Sequence, residues 1–114
     1  MLITMCKGKI HRATVTEACL DYQGSITIDT ELMKAANILP YEMVHINSMA
    51  TAAHWETFAI PGKKGQICLN GCPARIFRPG DEVIILSIGI FKEKEITGEF
   101  CHRVVHVDKQ NNII

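Results

Sequence analysis

Short apolar runs, bounded by turn residues, mark most of the chain as β-strands. Runs rich in β-branched and aromatic residues are typical of strands. Seven segments share this pattern: residues 3–15, 26–28, 43–46, 55–60, 66–69, 83–90 and 104–107. The dipeptide Asn70-Gly71 is the strongest hairpin signal in the chain, because both central residues of that turn type need a positive φ. The pattern predicts a mainly β protein.

One segment has helical periodicity instead. Apolar side chains recur at the i, i+3, i+4, i+7 spacing from Leu32 to Leu39, which places them on one helix face. Asp29 can cap this helix, and Glu31 adds an acid to its first turn. Asn37 and Pro40 are predicted to end it. Six or seven strands with one or two short helices cannot form a doubly wound sheet. Closure into a small barrel would remove the exposed edges.

Length and charge narrow the class of protein. A chain of 114 residues is predicted to form a single domain, residues 1–114. Twelve basic and twelve acidic side chains cancel, which argues against nucleic acid as a partner. The longest apolar run, 83–91, is too short for a membrane span, and no signal peptide begins the chain, so we expect no membrane partner and a cytoplasmic location. Five scattered cysteines indicate reduced, mostly buried thiols.

The histidines and cysteines lack the spacing of a metal motif. Cys68 and Cys72 are separated by three residues, and no second pair follows. Cys101, His102 and His106 come nearest to a ligand set, but alternation along a strand favours them no more than any other same-parity pair. We therefore expect no metal ion. A phosphate-binding loop is also missing from the sequence.

An ordered set of short segments spans most of the chain. It comprises residues 8–16, 24–29, 35–39, 57–60, 70–71 and 80–85. The most specific part is Lys9-x-His11-Arg12 followed by Gly24-Ser25. In this order and spacing the sequence resembles the pyruvoyl-dependent aspartate 1-decarboxylase family. The resemblance implies a double-psi β-barrel.

The resemblance also implies a cofactor made from the chain itself. Ser25 Oγ would attack the carbonyl of Gly24, and the resulting ester would eliminate and hydrolyse to a pyruvoyl group at Ser25. The chain would thereby be cut into residues 1–24 and 25–114. Gly24 suits the role because a residue without Cβ permits a strained turn and an open carbonyl. Thr57 is the family's donor to the oxyanion of this step.

The family's substrate residues map onto this chain one by one. An amino acid forms a Schiff base with the pyruvoyl group, which accepts electrons as CO₂ leaves, so that neither pyridoxal phosphate nor a metal is needed. For aspartate the product is β-alanine, a precursor of pantothenate. The residues that would line or serve the site, together with Thr57, are Lys9, His11, Tyr22, His54, Gly71, Cys72 and Pro73. Family members are homotetramers whose active sites are shared between protomers.

Three residues depart from the family pattern where substrate would bind. His54 stands where the family has an arginine, and an imidazole cannot grip a carboxylate through two parallel bonds. Phe58 replaces the tyrosine that donates a proton, so that Tyr22, His54 or water would have to substitute. Pro73 replaces an alanine and offers no N–H to an anion.

The departures leave three interpretations open. The first is decarboxylation of L-aspartate in an altered pocket. The second is the same pyruvoyl chemistry on a different small amino acid. In the third, the chain is never processed and serves as a non-enzymatic barrel module, since a fold does not determine a function. Lys9, His11 and Tyr22 would then be ordinary strand and core residues. The need for a maturation helper protein is left open by the sequence.

Overall fold

Eight β-strands, one α-helix and two short 3₁₀ helices form the computed structural model, which describes all residues 1–114. The helix α1 is Thr30–Ala35, and the 3₁₀ helices are Cys72–Arg75 and Glu93–Glu95. The strands are β1 (Leu2–Thr14), β2 (Glu17–Cys19), β3 (Ser25–Asp29), β4 (Met43–Ser48), β5 (His54–Gly62), β6 (Ile67–Asn70), β7 (Glu82–Lys92) and β8 (Arg103–His106). The predicted mainly β class is confirmed.

The structure has eight strands, where the sequence predicts six or seven. The unpredicted strand is β2, whose three residues pair in parallel with β6 from Glu17↔Cys68 to Cys19↔Asn70. Its sequence, Glu-Ala-Cys, contains no β-branched residue and no apolar alternation. Local pattern therefore carries no signal for it, and its extended conformation comes from pairing with a distant strand.

The strands form one sheet in the order β2-β6-β3-β5-β4-β7-β1-β8. Strands β6 and β8 are six steps apart in this order. In a flat sheet, with neighbouring strands ~4.8 Å apart, Ile67 of β6 and Val105 of β8 would therefore be about 29 Å apart. Both residues belong to one core of 19 buried side chains, and the six-residue helix α1 contacts β3, β5 and β8, although β3 and β8 are five steps apart in the sheet order. The sheet therefore curls around a common interior, which is compatible with a small double-psi β-barrel.

The single α-helix is shorter than its periodicity suggests. Asp29 caps it as predicted, since its Oδ1 accepts a hydrogen bond from the Glu31 amide at 2.8 Å. The helix ends at Ala35, and Asn37 follows with a positive φ of 59°. Leu39, the last apolar position of the pattern, lies outside the helix and is 65% exposed. No helix in the structure has the length and apolar character needed to cross a membrane.

The cysteines are thiols, but the prediction that most are buried is wrong. All five are unpaired. Only Cys68 is buried, whereas Cys19, Cys72 and Cys101 are exposed and Cys6 is intermediate.

Candidate active site

Ser25 begins strand β3 with its side chain inside the protein. It is 1% exposed and pairs with Asn70 in antiparallel register. Its Oγ donates a hydrogen bond to the Gln23 carbonyl oxygen at 3.2 Å and accepts one from Asn70 Nδ2 at 3.0 Å. These two contacts fix the hydroxyl beside the peptide bond that joins Gly24 to Ser25.

The Asn70 amide is held in one orientation by its neighbours. The Cys68 thiol donates to Asn70 Oδ1 at 3.2 Å, so Nδ2 faces the hydroxyls of Ser25 and Thr27, each at 3.0 Å. Burial, followed by the charge of Glu17, raises the pKa of Cys68 and keeps the thiol protonated. Asn70 is a site residue that sequence reasoning missed, because the Asn70-Gly71 signal was interpreted as a hairpin.

The predicted hairpin at Asn70-Gly71 is wrong. The positive φ of Gly71 instead allows its backbone to pack closely on Gly24. Strand β6 ends at Asn70, and Gly71 precedes the 3₁₀ helix Cys72–Arg75 with φ 79°. A Cβ built on Gly71 would lie 2.9 Å from Gly24 Cα and 3.1 Å from Gly24 N. The Gly71 amide donates to the Cys19 carbonyl oxygen at 2.8 Å. Gly71 is therefore packed directly against the backbone of Gly24.

The structure does not support the strain argument for Gly24 itself. Gly24 is not among the residues with positive φ, and a Cβ built on it would meet no atom within 4 Å. The position that has no room for a Cβ is therefore Gly71, because its Cβ would lie against Gly24.

Thr57 lies on β5, the parallel neighbour of β3. It is buried, with 8% of its surface exposed. The first pair of the two strands is Ile26↔Ala59, and the last is Asp29↔Gly62. Since the strands are parallel, two steps back along each lead to Gly24 and Thr57. Thr57 therefore lies on the strand next to Ser25, two residues before the first pair of the ladder.

Sequence comparison identifies the family to which this arrangement belongs. The chain matches the family described as aspartate decarboxylase over residues 1–114. The chain belongs to the aspartate decarboxylase family. It is 48% identical to the aspartate 1-decarboxylase of Leptospira biflexa serovar Patoc, with 97% of this chain and 96% of that protein covered. The aspartate 1-decarboxylases of Acetivibrio thermocellus and Desulfitobacterium hafniense are each 52% identical, over 100% and 98% of this chain and 91% and 89% of those proteins.

Two residues expected to bind substrate in this family, Lys9 and His11, lie on β1. In the sheet order β1 is four steps from β3, so neither residue shares a strand pair with Ser25. His11 pairs with His106 of β8, and the two rings meet edge to face at 5.5 Å. Partial burial, followed by the charges of Lys9 and His106, lowers the pKa of His11. Its buried Nδ1 has no hydrogen-bond partner.

The other family positions lie in the segments around Gly24 and Gly71. A Cβ built on Gly71 would lie 3.2 Å from the carbonyl oxygen of Tyr22. The Tyr22 residue as a whole is 58% exposed. Cys72 is exposed, and the buried Pro73 sits in the first turn of the 3₁₀ helix. The missing N–H of Pro73 fits that position, since the first amides of a helix have no partner within it. Tyr22, Gly24, Ser25 and Gly71 are thus brought together.

His54 is the first residue of β5 and lies on the outer face of that strand. Its Nδ1 is 2.7 Å from Asn47 Oδ1, and its Nε2 is 2.9 Å from Glu56 Oε2. The hydrogen bond with His54, followed by the charge of His45, lowers the pKa of Glu56. The side chains around His54 are therefore polar ones of the β4–β5 pair.

Phe58 is half-buried on the same strand and carries no proton. Its ring lies 6.2 Å from that of Tyr41, and the two planes are tilted by 40°. The aromatic contact accounts for Phe58 as a packing residue. A catalytic proton would therefore have to come from another group.

Proposed function

We propose that this protein is a pyruvoyl-dependent decarboxylase that converts L-aspartate to β-alanine and CO₂ for pantothenate biosynthesis. Membership of the aspartate decarboxylase family along the whole chain supports the activity. The observation that carries the proposal is the contact of the buried Asn70 amide with Ser25 Oγ, beside a Gly24 held by Gly71. Release of ¹⁴CO₂ from L-[1-¹⁴C]aspartate is the direct test.

The chain would prepare its own cofactor in three balanced steps. Ser25 Oγ adds to the Gly24 carbonyl carbon, and the Gly24–Ser25 C–N bond breaks, which leaves an ester and a free amine. Loss of the Ser25 α-proton then expels the Gly24 carboxylate and produces dehydroalanine. One water converts the dehydroalanine to a ketone, and one ammonia leaves. The products are residues 1–24 and a pyruvoyl-capped 25–114.

The residues around Ser25 fit this preparation. The first step places negative charge on the Gly24 carbonyl oxygen, and preorganised donors lower the barrier to such a charge. Asn70 would position the attacking oxygen through its contact with Ser25 Oγ. The burial of Thr57 on the strand beside β3 supports its role as a donor to the developing oxyanion. The pyruvoyl group supplies the electron sink for decarboxylation. Lys9, His11 and Tyr22 would bind and orient the amino acid.

Thr57→Val is expected to slow cleavage about 10²–10³-fold, because it removes one oxyanion donor while keeping the shape of the side chain. The uncut fraction after timed incubation, measured by denaturing mass spectrometry, gives the rate. Thr4→Val on the exposed part of β1 is the control and should cleave at the wild-type rate. Equal rates for Thr57→Val and the wild type would remove Thr57 from the mechanism.

We also propose assembly into a homotetramer with sites shared between protomers. Lys9 lies on β1, which does not pair with β3, and a neighbouring copy could bring its own β1 to Ser25. The segment that follows α1 supplies an apolar contact surface, with Leu39, Tyr41 and Met43 all more than half exposed. Light scattering should give the mass of four chains. A single-chain mass would contradict shared sites.

A further proposal concerns the location of the protein in the cell. Five unpaired thiols fit a reducing compartment, and we propose the cytoplasm as the location. A maturation helper protein is needed only if the purified chain remains uncut and becomes cut when cell extract is added.

A different amino-acid substrate is the competing proposal. His54 and Pro73 each lack a group with which the family's pocket would hold aspartate, and Phe58 lacks the family's proton donor. His54 is also exposed among other polar groups. A panel of amino acids assayed for CO₂ release from cleaved protein separates the two. Turnover of aspartate above all others supports the first proposal, and inert aspartate beside another active amino acid supports the second.

Phe58→Tyr is expected to raise kcat for aspartate by about tenfold or more, because a general acid is worth ~10²–10⁴ in rate and the phenol restores one. Steady-state CO₂ release measures the effect. Phe91→Tyr is the matched control, since it adds the same hydroxyl on β7 in a ring that packs on Phe100. No gain with Phe58→Tyr would mean that protonation is already supplied by another group.

A further inference from the structure

The antiparallel pair β4–β5 gathers four polar side chains on its outer face. His45 is opposite Glu56, and Asn47 is opposite His54. Residues two apart on a strand share a face, so both pairs point away from the core. The intervening Ile46 is fully buried, which confirms this alternation. Two imidazoles, one carboxylate and one amide therefore lie side by side.

The distances within this group match those around a small divalent cation. Two ligands at ~2.0–2.1 Å from a tetrahedral Zn²⁺ lie about 3.3 Å from each other. Here His54 Nε2 is 2.9 Å from Glu56 Oε2, and His45 Nε2 is 3.6 Å from Glu56 Oε1. One ligand atom from each of the three residues can be chosen so that all lie within 4.8 Å of one another. Small side-chain rotations would place all three on one ion.

The contact with Asn47 adds an independent argument. Asn47 Oδ1, 2.7 Å away, accepts the proton of His54 Nδ1. This contact orients the ring, so that Nε2 faces Glu56 Oε2 at 2.9 Å. Metal-binding histidines commonly hold their second nitrogen by such an oxygen acceptor, which fixes the tautomer.

We propose that His45, His54 and Glu56 bind a divalent transition-metal ion of the Zn²⁺ class. Two imidazoles and a carboxylate are ligands that Zn²⁺ prefers, and three protein ligands leave a position open. His45, His54 and Glu56 are 34%, 45% and 52% exposed at their side chains, so this position faces solvent. The sequence motifs give no sign of the site because the ligands come from two strands and meet only through register.

The open position is suited to a small carboxylate, and this part rests on the proposed function. Register places Lys9 opposite Leu86 and Leu86 opposite His45. Lys9 and His45 therefore share the outer face two strands apart, or about 10 Å between backbones. A dicarboxylate such as aspartate can place one carboxylate on the metal and the other toward the Lys9 ammonium.

Metal binding is tested on tag-free, chelator-treated protein by calorimetry with ZnCl₂ and by the visible spectrum of bound Co²⁺. We expect one ion per chain. His45→Ala, His54→Ala and Glu56→Gln should each weaken binding by about 100-fold, and Asn47→Ala by about tenfold, the lower end for a residue that orients a ligand. His102→Ala and His106→Ala are the controls and should bind as the wild type does. Thermal melting checks that each variant is folded.

Failure of the wild type to bind would overturn the proposal and leave the direct contact between His54 and Glu56 as a hydrogen bond only. Equal affinity in Glu56→Gln and the wild type would overturn it as well. Adding L-aspartate to the Co²⁺-loaded Ser25→Ala protein should shift the spectrum without turnover, whereas L-alaninamide should not. An unchanged spectrum would overturn the carboxylate part. Failure of CO₂ release by wild-type protein would contradict the proposed function and leave the metal result unaffected.

Discussion

Ser25→Ala is expected to leave the chain in one uncut piece with no decarboxylase activity. Alanine has no oxygen to attack the Gly24 carbonyl, so neither the ester nor the ketone can form. The remaining barrel should fold, because Ser25 contributes only the hydrogen bonds to Gln23 and Asn70. Intact mass under denaturing conditions and CO₂ release measure the two losses.

Ser48→Ala is the control for this change. Ser48 is also a buried serine, and its Oγ accepts a hydrogen bond from the Thr51 amide in the β4–β5 turn. We expect Ser48→Ala to cleave fully. Cleavage or retained turnover in Ser25→Ala would exclude the mechanism proposed for Ser25.

Gly71→Ala is expected to slow cleavage at least tenfold and to destabilise the fold. The new Cβ would lie 2.9 Å from Gly24 Cα, so the backbone at the scissile bond must move. The Gly71 backbone, at φ 79° and ψ −141°, is in a region that is essentially restricted to glycine, which adds roughly 1–3 kcal/mol for a residue with a side chain. Timed mass spectra and urea denaturation of the uncut chain measure the two effects.

Gly80→Ala separates the two causes. Gly80 also has a positive φ, 94°, but a Cβ built on it would meet nothing within 4 Å. Gly80→Ala should therefore lose stability through its backbone conformation and cleave at the wild-type rate. If both variants cleave equally well, close packing of Gly71 on Gly24 has no part in processing.

Local sequence pattern was enough to predict most of the fold. Seven strands and the cap of α1 follow from residue type and spacing, because burial on one face repeats every second residue in a strand. Strand β2 and the end of β6 could not be predicted this way. They depend on pairing between residues about fifty positions apart, such as Glu17 with Cys68.

The functional site, like the fold, could be predicted only in part from local sequence. The Lys-x-His-Arg and Gly-Ser motifs were sufficient to assign the family and to propose Ser25 as the reactive residue. The role of Asn70 and the packing of Gly71 on Gly24 required three-dimensional contacts, since both lie 45 or more residues from Ser25 and Gly24. The His45, His54 and Glu56 cluster likewise depends on strand register, where a slip of one residue would turn every side chain to the other face.

The central claim is that this chain cuts itself between Gly24 and Ser25 and keeps a reactive ketone. Intact mass of the purified protein after prolonged warming, with and without borohydride, tests it most directly. The account predicts two species, residues 1–24 ending in a free carboxylate and residues 25–114 lighter by one ammonia than a serine terminus would make them. Borohydride should add two hydrogens to the larger species alone. A single uncut chain of 114 residues that borohydride does not change would contradict the account.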